Sequence, residues 1–404
     1  MQHLRTLGWL LLGLVAATGS SAQSAAPEIA PAEFQNCLDN LQSNPVFKRI
    51  SAQTWQQYVA PLQADASVLP LLDKQPEFTM PVWDYMAVLV DAERVADGRA
   101  AVAQWQDTLV RVAQRYGVAA PVVAGVWGVE SNFGKNLGSK PLLRSLGTLS
   151  CFGRRQTYFR TEFASALQIV QSGDVAADKL NGSWAGAFGQ TQFMPSTFLR
   201  LAQDFDGDGQ RDIVDSVPDA LASTANFLAK AGYKTAEPWG FEVRLPHSDF
   251  RSARKDKVPL AAWRAQGLLL ADGRALPDSM SSAGLLLPSG PQGPAFLVGK
   301  NFETLYSYNA SENYALAIAH LSDLLANSSA SPGFVTPWPT DDAGLSRAEN
   351  RQLQTLLLQR GHDIGTADGL IGAKTRTAIQ IEQERAGWTP DGRAGQKLLR
   401  ALQK

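Results

Sequence analysis

Hydrophobic residues recur at helical spacing through the first half of the chain. From about Pro31 to Leu201 they fall mainly at i, i+3, i+4 and i+7, as in VWDYMAVLVDAERVADGRAAVAQWQDTLVRVAQRYGV, which is typical of helices with one buried face. Between about residues 240 and 300 the pattern changes to short apolar runs between Gly and Pro, FEVRLP, GLLLPSG and AFLVG, which predict strands. Helical spacing returns at YALAIAHLSDLLA. The pattern predicts a mainly α (α+β) protein with a small β-containing insertion.

A break rich in Pro and Gly separates this region from a smaller last domain. The segment SSASPGFVTPWPTDD shows no periodicity and predicts a linker over residues 331–343. The main region, called the body below, then spans residues 23–330, and the last domain spans residues 344–404. That domain contains an internal repeat, since DGLIGAKTRTAI begins at Asp368 and DGRAGQKLLRAL at Asp391. In each copy an Asp-Gly turn leads into a helix, and such units must pack together to bury their apolar faces.

The N-terminus is predicted to be a targeting signal and not part of the fold. MQHLRTLGWLLLGLVAATGSSAQ has a basic start, an apolar stretch and small residues before a cleavage point after Ala22. These features are typical of a secretory signal peptide over residues 1–22, and the apolar stretch is too short for a membrane span. We therefore expect an exported, periplasmic protein; an uncleaved anchor is the alternative.

Composition narrows the class of protein. The 404 residues are enough for two or three domains. A net charge of -1 argues against a nucleic-acid-binding protein, which normally carries a basic surplus. The sequence has two cysteines, Cys37 and Cys151. In an oxidising compartment this pair favours one disulfide over free or catalytic thiols.

The stretch DFDGDGQRDIVD, Asp204 to Asp215, has the spacing of an EF-hand calcium loop, with Gly209 at the sharp turn. The predicted oxygen ligands are Asp204, Asp206, Asp208, Gln210 and Asp215. Asp215 stands where a bidentate Glu is usual; since Asp is one methylene shorter, a longer loop closed by Asp219 is the alternative. Closely spaced carboxylates repel each other unless a cation neutralises them. We therefore expect a structural Ca²⁺ ion, rather than a bare acidic turn, and no organic cofactor.

One carboxylate stands in an apolar setting. The stretch PVVAGVWGVESNF predicts a short helix that begins at Pro121 and ends before Gly134. Val123, Trp127 and Glu130 lie on one stripe of it, so Glu130 should face inward near the C-terminal end. Burial and the negative end of the helix dipole would both raise the pKa of this carboxyl group, and a protonated carboxylic acid can serve as a general acid. On this stretch alone, an ion pair with an Arg explains the carboxylate equally well.

Four motifs resemble the lytic murein transglycosylase B family in their order and spacing. They are GVWGVESNFG, RSLGTLSCFGRRQTYFRTEFASAL, NGSWAGAFGQTQFMPSTFLRLAQDFDGDG and LYSYNASENYALAIAHL. The resemblance runs from about Glu33 to Leu325. It implies a lysozyme-like α-domain that cleaves the MurNAc-GlcNAc bond of peptidoglycan glycan strands, with wall-synthesis proteins as candidate partners.

The last domain resembles the peptidoglycan-binding domain type 1, a three-helix module. The resemblance covers about 60 residues and rests on the internal repeat. The chain departs from the pattern at Ile381, where an aromatic residue is usual. A small helical domain that binds no ligand is the alternative.

The first resemblance also implies roles for single residues. Glu130 matches the family's catalytic Glu, and Ser183 and Gln192 match positions that line the glycan groove. Tyr308 with Asn309 matches a Tyr-Asn pair that orients the acid. The amide of Gln192 can both donate to and accept from sugar groups, whereas Ser183 could equally well cap a turn.

The expected reaction uses one carboxylate. Ordinary glycosidases use two, but only Glu130 has a suitable setting within the matched motifs, since Glu162 lies in a helical run and is interpreted as structural. Glu130 would protonate the glycosidic oxygen, the MurNAc N-acetyl group would stabilise C1, and Glu130 would then take the C6 hydroxyl proton to give a 1,6-anhydroMurNAc end. Two alternatives stay open: a lysozyme-type hydrolase, in which water reaches C1, and a non-catalytic wall-binding protein.

Overall fold

The computed structural model describes residues 28–73, 80–327 and 333–404. The predicted signal peptide, residues 1–22, lies outside the described residues. Over the described ranges, no helix combines the length and the apolar character needed to cross a membrane.

Most of the described chain is helical, and the mainly α prediction is confirmed. The α-helices are α1 (Pro31–Gln42), α2 (Ala52–Tyr58), α3 (Val82–Leu89), α4 (Ala92–Gln104), α5 (Gln106–Tyr116), α6 (Ala120–Ser131), α7 (Leu142–Cys151), α8 (Gln156–Ser172), α9 (Pro195–Leu201), α10 (Val217–Lys230), α11 (Leu260–Ala265), α12 (Lys300–Asn309), α13 (Glu312–Ala326), α14 (Arg347–Gln359), α15 (Ala373–Arg385) and α16 (Gln396–Leu402). Two 3₁₀ helices span Pro45–Phe47 and Ala66–Asp73.

The predicted β-containing insertion is also confirmed. The strands are β1 (Lys140–Pro141), β2 (Asn181–Gly182), β3 (Gly240–Arg244), β4 (Ala253–Pro259), β5 (Leu269–Leu270), β6 (Ser282–Leu286) and β7 (Ala295–Val298). β1 and β2 pair with each other, and the other five form a sheet of order β4-β6-β7-β3-β5. Each pairing in this sheet is antiparallel. β6 and β7 are buried along nearly their whole length, which explains why they appear in the sequence as continuous apolar runs.

Helices α6 and α13 form the centre of the body. α6 is buried over most of its length and α13 over ten of its residues, so both are apolar on more than one face. Gly125 on α6 permits the close approach: a Cβ atom there would lie 2.3 Å from Ser322 Oγ and 3.1 Å from the Ile318 carbonyl oxygen. Contact at this distance requires a residue without a side chain.

Two apolar clusters in the described part of the body meet at Tyr308 and Phe227, and a third fills the β-containing insertion. The first is built around α6, α10 and α13, and the second around α1, α7 and α8. Tyr308 and Phe227 pack against both clusters, and their ring centroids are 4.5 Å apart. The junction of two separately packed clusters leaves room for a groove at the surface.

The disulfide expected from the sequence joins α1 to the end of α7. Cys37 and Cys151 are bonded, with Cα atoms 6.0 Å apart and a sequence separation of 114. The described residues include no free cysteine.

The segment predicted as a linker has no helix or strand over residues 333–343, but it packs against the body. The Glu242 carboxylate of β3 accepts hydrogen bonds from the N–H groups of Val335 and Thr336 at 2.8 and 2.7 Å. The ring of Phe334 lies 4.9 Å from that of Phe296. These contacts hold the segment in one path across the sheet.

The internal repeat of the last domain produces two equivalent turns. Gln354 of α14 accepts from the Gly369 N–H at 2.7 Å and donates to Asp368 at 2.9 Å. Gln383 of α15 makes the same pair of bonds with the second Asp-Gly turn, at 2.9 Å to the Gly392 N–H and 2.6 Å to the Asp391 carboxylate. A buried amide thus holds each turn at the start of the following helix.

Arginine–carboxylate pairs join this domain to the body. Arg347 contacts both oxygens of Asp91 at 2.9 Å, and Asp91 is almost fully buried. Arg393 likewise holds both oxygens of Asp84, at 2.6 and 2.7 Å. Two-point contacts between planar groups fix orientation as well as distance, so the domain is seated in one orientation on α3 and α4.

Candidate active site

Glu130 lies one residue before the end of α6, at the edge of a groove. Val123 and Trp127, on the same stripe, are 0% and 3% exposed, whereas Glu130 is half-buried. The helix ends because Asn132 and Phe133 adopt positive φ angles of 51° and 59°. Such angles are uncommon for residues other than Gly and often occur at functional sites. The buried stripe thus delivers the carboxyl group to the surface.

The groove has a volume of about 560 Å³. It is lined by Leu72, Glu130, Arg154, Arg155, Tyr158, Phe159, Ser183, Trp184, Ala185, Ala187, Gln192, Met194, Ser307, Tyr308, Asn309 and Ala310. The structure therefore brings together all five residues expected to act on the glycan. Among the described residues that line the groove, Glu130 is the single carboxylate.

The hydroxyl group of Tyr314 donates a hydrogen bond to Oε1 of Glu130. Tyr314 lies near the start of α13 and is 2% exposed. Burial, followed by the negative charge of Glu130, raises the pKa of this phenol well above its usual value. Tyr314 therefore keeps its proton at neutral pH and acts as a hydrogen-bond donor to the carboxyl group.

The structure gives the Tyr308 hydroxyl an acceptor other than Glu130, so a direct role of Tyr308 in orienting Glu130 stays a prediction. The Tyr308 hydroxyl donates to the carbonyl oxygen of Thr191 at 2.8 Å, and one hydroxyl proton cannot serve two acceptors at once. The Tyr308 ring stacks on that of Tyr314, with centroids 6.2 Å apart. Tyr308 thus supports the ring of the residue that donates to Glu130. The motif YSYNASENY contains both tyrosines, but sequence spacing alone does not tell which hydroxyl reaches Glu130.

Gln192 and Ser183 are held by the backbone around them. The side-chain amide of Gln192 donates to the carbonyl oxygens of Leu137 at 3.1 Å and Gly189 at 2.9 Å, and Gln192 has a φ of 50°. The Ser183 hydroxyl accepts from the Ala187 N–H at 3.0 Å. Gln192 therefore presents its oxygen as the atom able to accept from a ligand, and Ser183 caps a turn while lining the groove.

Glu162 has a structural position, as interpreted from the sequence. It is 3% exposed, and its two oxygens accept from the N–H and hydroxyl groups of Ser196 at 2.9 and 2.8 Å. Ser196 lies in the first turn of α9, where backbone N–H groups lack partners within the helix. The carboxylate satisfies the start of that helix.

Sequence reasoning missed several groups in the groove. Arg154 and Arg155 follow α7, and the guanidinium of Arg155 lies 4.6 Å from the centre of the Tyr158 ring. Trp184 also lines the groove. The run GRRQTY was visible, but a run of charges more often marks a solvated surface, so its position required the tertiary structure.

The acidic loop places three carboxylates close together. Atoms of Asp204, Asp206 and Asp219 lie within 4.8 Å of one another, the one group of this kind among the described residues. Burial raises the pKa of Asp219 to about 6, against a hydrogen bond from the Phe205 N–H, and the charge of Asp206 adds to the increase. Oxygen donors at this separation suit a hard cation such as Ca²⁺, so the residues fit the expected ion.

The remaining predicted ligands lie differently. Asp215 forms an exposed ion pair with Lys179 and is not part of this group, because α10 begins two residues later and carries Asp219 inward. Asp208 accepts from the Gln210 N–H at 2.8 Å and shapes the turn. Gly209 has the positive φ expected at the sharp turn, 91°. Of the two closing residues left open by the sequence, the geometry favours Asp219.

Two family models match the chain. One, described as the transglycosylase SLT domain, matches residues 33–323. The other, described as a putative peptidoglycan binding domain, matches residues 346–402. A curated relative, the membrane-bound lytic murein transglycosylase B of Escherichia coli (strain K12), is 29% identical over 302 residues, which are 72% of this chain and 82% of that protein.

Solved structures agree with these matches. SltB3 from Pseudomonas aeruginosa in complex with NAG-anhNAM-pentapeptide is 44% identical, with a TM-score of 0.72, over 92% of this chain and 99% of that one. SLT35 from Escherichia coli in complex with calcium is 30% identical, with a TM-score of 0.62, over 73% of this chain and 92% of that one. Since the transglycosylase model spans well over half of the chain and SltB3 matches nearly all of it, the protein belongs to the lytic transglycosylase family.

Proposed function

We propose that this protein cleaves the β-1,4 bond between MurNAc and GlcNAc in peptidoglycan without water and leaves 1,6-anhydroMurNAc ends, as cell-wall turnover and remodelling require. The observation that carries the proposal is the groove in which Glu130 is the single carboxylate among the described lining residues. A glycosidase that uses a nucleophile or a base needs a second carboxylate. The complex of SltB3 with NAG-anhNAM-pentapeptide supports the anhydro product.

In the proposed reaction Glu130 serves first as acid and then as base. It gives its proton to the glycosidic oxygen, and the bond from C1 to that oxygen breaks while the MurNAc N-acetyl oxygen stabilises C1. The Glu130 carboxylate then removes the proton of the C6 hydroxyl group, and the C6 oxygen bonds to C1. The proton balance closes, because Glu130 ends protonated and no water is consumed. The raised pKa of Glu130 stays a prediction.

Tyr314 is proposed to keep the acid in position. Its hydroxyl donates to Oε1 of Glu130, which fixes the orientation of the carboxyl group that transfers the proton. A donor aimed at the carboxylate also stabilises the charge that develops as the proton leaves. The same contact would hold the carboxylate ready for the C6 hydroxyl proton.

The other groove residues are proposed to bind the substrate. Gln192, Ser183 and Asn309 offer polar groups to sugar hydroxyl and N-acetyl groups, and the Trp184 ring can stack on a sugar face. The guanidinium groups of Arg154 and Arg155 suit the carboxylates of wall peptides.

The last domain is proposed to hold the enzyme on its polymeric substrate. Its match to a peptidoglycan-binding family over residues 346–402 supports this role. We further propose export to the periplasm through residues 1–22, with the catalytic region at 23–330, the linker at 331–343 and the binding domain at 344–404. Wall-synthesis proteins remain proposed partners.

A structural Ca²⁺ ion is proposed at the acidic loop. Asp204, Asp206 and Asp219 would hold it, and the relative SLT35 has been solved in complex with calcium. The ion would neutralise mutual repulsion of the carboxylates and hold the loop against α10. It takes no part in the reaction steps above.

Purified sacculi test the proposal directly. Digestion followed by mass analysis should show products with anhydro ends, each lighter than a reducing end by one water. A majority of reducing ends would instead establish the lysozyme-type hydrolase. Glu130→Gln should lower the rate by at least about 10³-fold, because one group supplies both acid and base, while sacculus pull-down stays intact.

The matched control is Glu33→Gln, the same chemical change at an exposed position of α1. It should retain full activity. Retained activity in Glu130→Gln would remove Glu130 from its role. Inactive wild-type protein that still binds sacculi would favour the non-catalytic alternative.

A further inference from the structure

A second cavity, of about 380 Å³, lies at the other end of the two central helices. Pro121 and Val122 of the first turn of α6 line it, together with Asp323 and Ala326 of the last turn of α13. Tyr314, which contacts Glu130, lies nine residues before Asp323 on α13, a separation of roughly 14 Å along a helix axis. The cavity therefore shares no wall with the groove.

Asp323 is the chemically distinctive group in this cavity. The Trp239 indole N–H donates to its Oδ2 at 2.9 Å, and no described Lys, Arg or His forms a salt bridge with it. α13 has no basic residue in its last turn, where the negative end of the helix dipole disfavours a carboxylate. Asp323 as a whole residue is exposed to solvent, and desolvation of its carboxyl group by the neighbouring protein raises its pKa to about 6, opposed by the hydrogen bond from Trp239. The N-terminal turn of α6 across the cavity supplies only a partial positive charge.

The walls around Asp323 are mainly apolar and aromatic. Tyr233, Trp239 and Phe241 line the cavity, and Glu237 adds a second carboxylate. Trp239 is 8% exposed, and its indole packs against the ring of Phe296 at 5.9 Å. A cation gains from a carboxylate and from aromatic faces together, whereas an anion would meet two negative charges.

The cavity is formed before any ligand arrives. Asn301, 1% exposed, accepts from the Lys234 N–H at 2.7 Å and donates to the carbonyl oxygens of Lys234 at 2.9 Å and Glu237 at 2.6 Å. Ala236, between these two residues, has a φ of 66°. A buried amide thus holds this wall in a backbone conformation that L-residues rarely adopt, so little ordering would be needed on binding.

We propose that this cavity binds an alkylammonium group, with Asp323 as its counter-ion and the Tyr233, Trp239 and Phe241 rings around its aliphatic part. A lysine-like side chain of a peptide and a free diamine share this chemistry. The proposal concerns binding alone and does not depend on the reaction assigned to Glu130.

The test is an NMR titration of protein labelled with ¹⁵N at Trp, to which an amine is added. It follows the resonance of the Trp239 indole N–H, because this N–H contacts Asp323. Trp239→Phe identifies the resonance. Cadaverine should shift it saturably in the millimolar range, at least about tenfold more tightly than 1-pentanol, a neutral chain of similar length. Nα-acetyl-lysine amide, compared with cadaverine, shows whether peptide-borne or free amines bind better.

Asp323→Asn should weaken cadaverine binding at least about tenfold. Asp249→Asn, the same change at a carboxylate that is 89% exposed, should leave it unchanged. Equal binding of cadaverine and 1-pentanol to the wild-type protein would overturn the proposal without any variant, as would the absence of a shift or an equal loss in both variants.

Discussion

Replacing Tyr314 with Phe removes one hydroxyl group from the candidate site and keeps the ring. In the structure that hydroxyl donates to Oε1 of Glu130. The ring is 2% exposed and stacked on Tyr308, so the substitution should leave the packing intact. The perturbation is therefore confined to the hydrogen bond between Tyr314 and Glu130.

The size of the effect follows from what the bond does during the reaction. A hydrogen bond to a charged group is worth about 1.5–3 kcal/mol, and this one strengthens as Glu130 gives up its proton. Because the groove is open to solvent, water can replace part of the lost hydrogen bond, so we expect a loss at the lower end of this range, about 1.5–2 kcal/mol. Turnover of Tyr314→Phe should therefore fall about 10- to 30-fold.

The same hydrogen bond predicts the direction in which the pH–rate profile of Tyr314→Phe should shift. The hydroxyl donates preferentially to the carboxylate, so its loss favours the protonated acid. The alkaline limb of the pH–rate profile, where the acid loses its proton, should move to higher pH by about one unit.

The assay is the initial rate of release of soluble products from sacculi between pH 4 and 9. Tyr308→Phe is the matched control, because its hydroxyl donates to the Thr191 carbonyl oxygen. The alkaline limb of the pH–rate profile of Tyr308→Phe should stay at the wild-type pH even if turnover changes. An unmoved limb in Tyr314→Phe, or the same shift in both variants, would refute the assignment.

Three other outcomes concern stability. Ca²⁺ at about 100 times its Kd should stabilise the wild-type protein by about 2.7 kcal/mol and raise its melting temperature. Asp219→Asn should lose most of this rise, whereas Asp215→Asn should keep it. Equal losses in the two variants would contradict the proposed ligands. Cys37→Ser should lower the free energy of unfolding in denaturant by about 2–5 kcal/mol, and reductant should reproduce this in the wild-type protein; no loss would argue against a stabilising disulfide. Arg347→Ala should lower it by about 3 kcal/mol at neutral pH. Burial alone would raise the pKa of Asp91, but Arg347 holds it below its usual value of 3.8. The stabilisation by this ion pair is therefore complete above about pH 4 and is lost as the pH falls through the lowered pKa of Asp91. The difference in free energy of unfolding between the wild-type protein and Arg347→Ala should shrink on acidification, and a difference that grows would refute the role of the pair.

Local pattern predicted the elements of the fold well. The helix that carries Glu130 was expected from Pro121 to before Gly134 and spans Ala120–Ser131. The short apolar runs after residue 240 became β3, β6 and β7. These predictions succeeded because helical and extended periodicity reflect which face each element buries.

Contacts between segments that are distant in sequence were harder to predict from the sequence. The resemblance pointed to Tyr308 as a hydrogen-bond donor to Glu130, and the structure adds a donor that it did not indicate, Tyr314, six residues further along the chain. Arg393 meets Asp84 from more than 300 residues away in sequence, and no local pattern marks such a pair. Side-chain direction depends on the rotation and packing of whole helices, which periodicity does not specify.

The sequence by itself determined the helical body, the small sheet, the repeated turns of the last domain and the isolation of one carboxylate in an apolar helix. Each of these depends on neighbours within a few residues, whose spacing decides which groups are buried together. Only the tertiary structure decided that Tyr314 holds Glu130, that Asp219 joins the acidic group, and that Asp323 faces a cavity between helix ends. Those outcomes depend on how close packing of separate elements directs individual side chains.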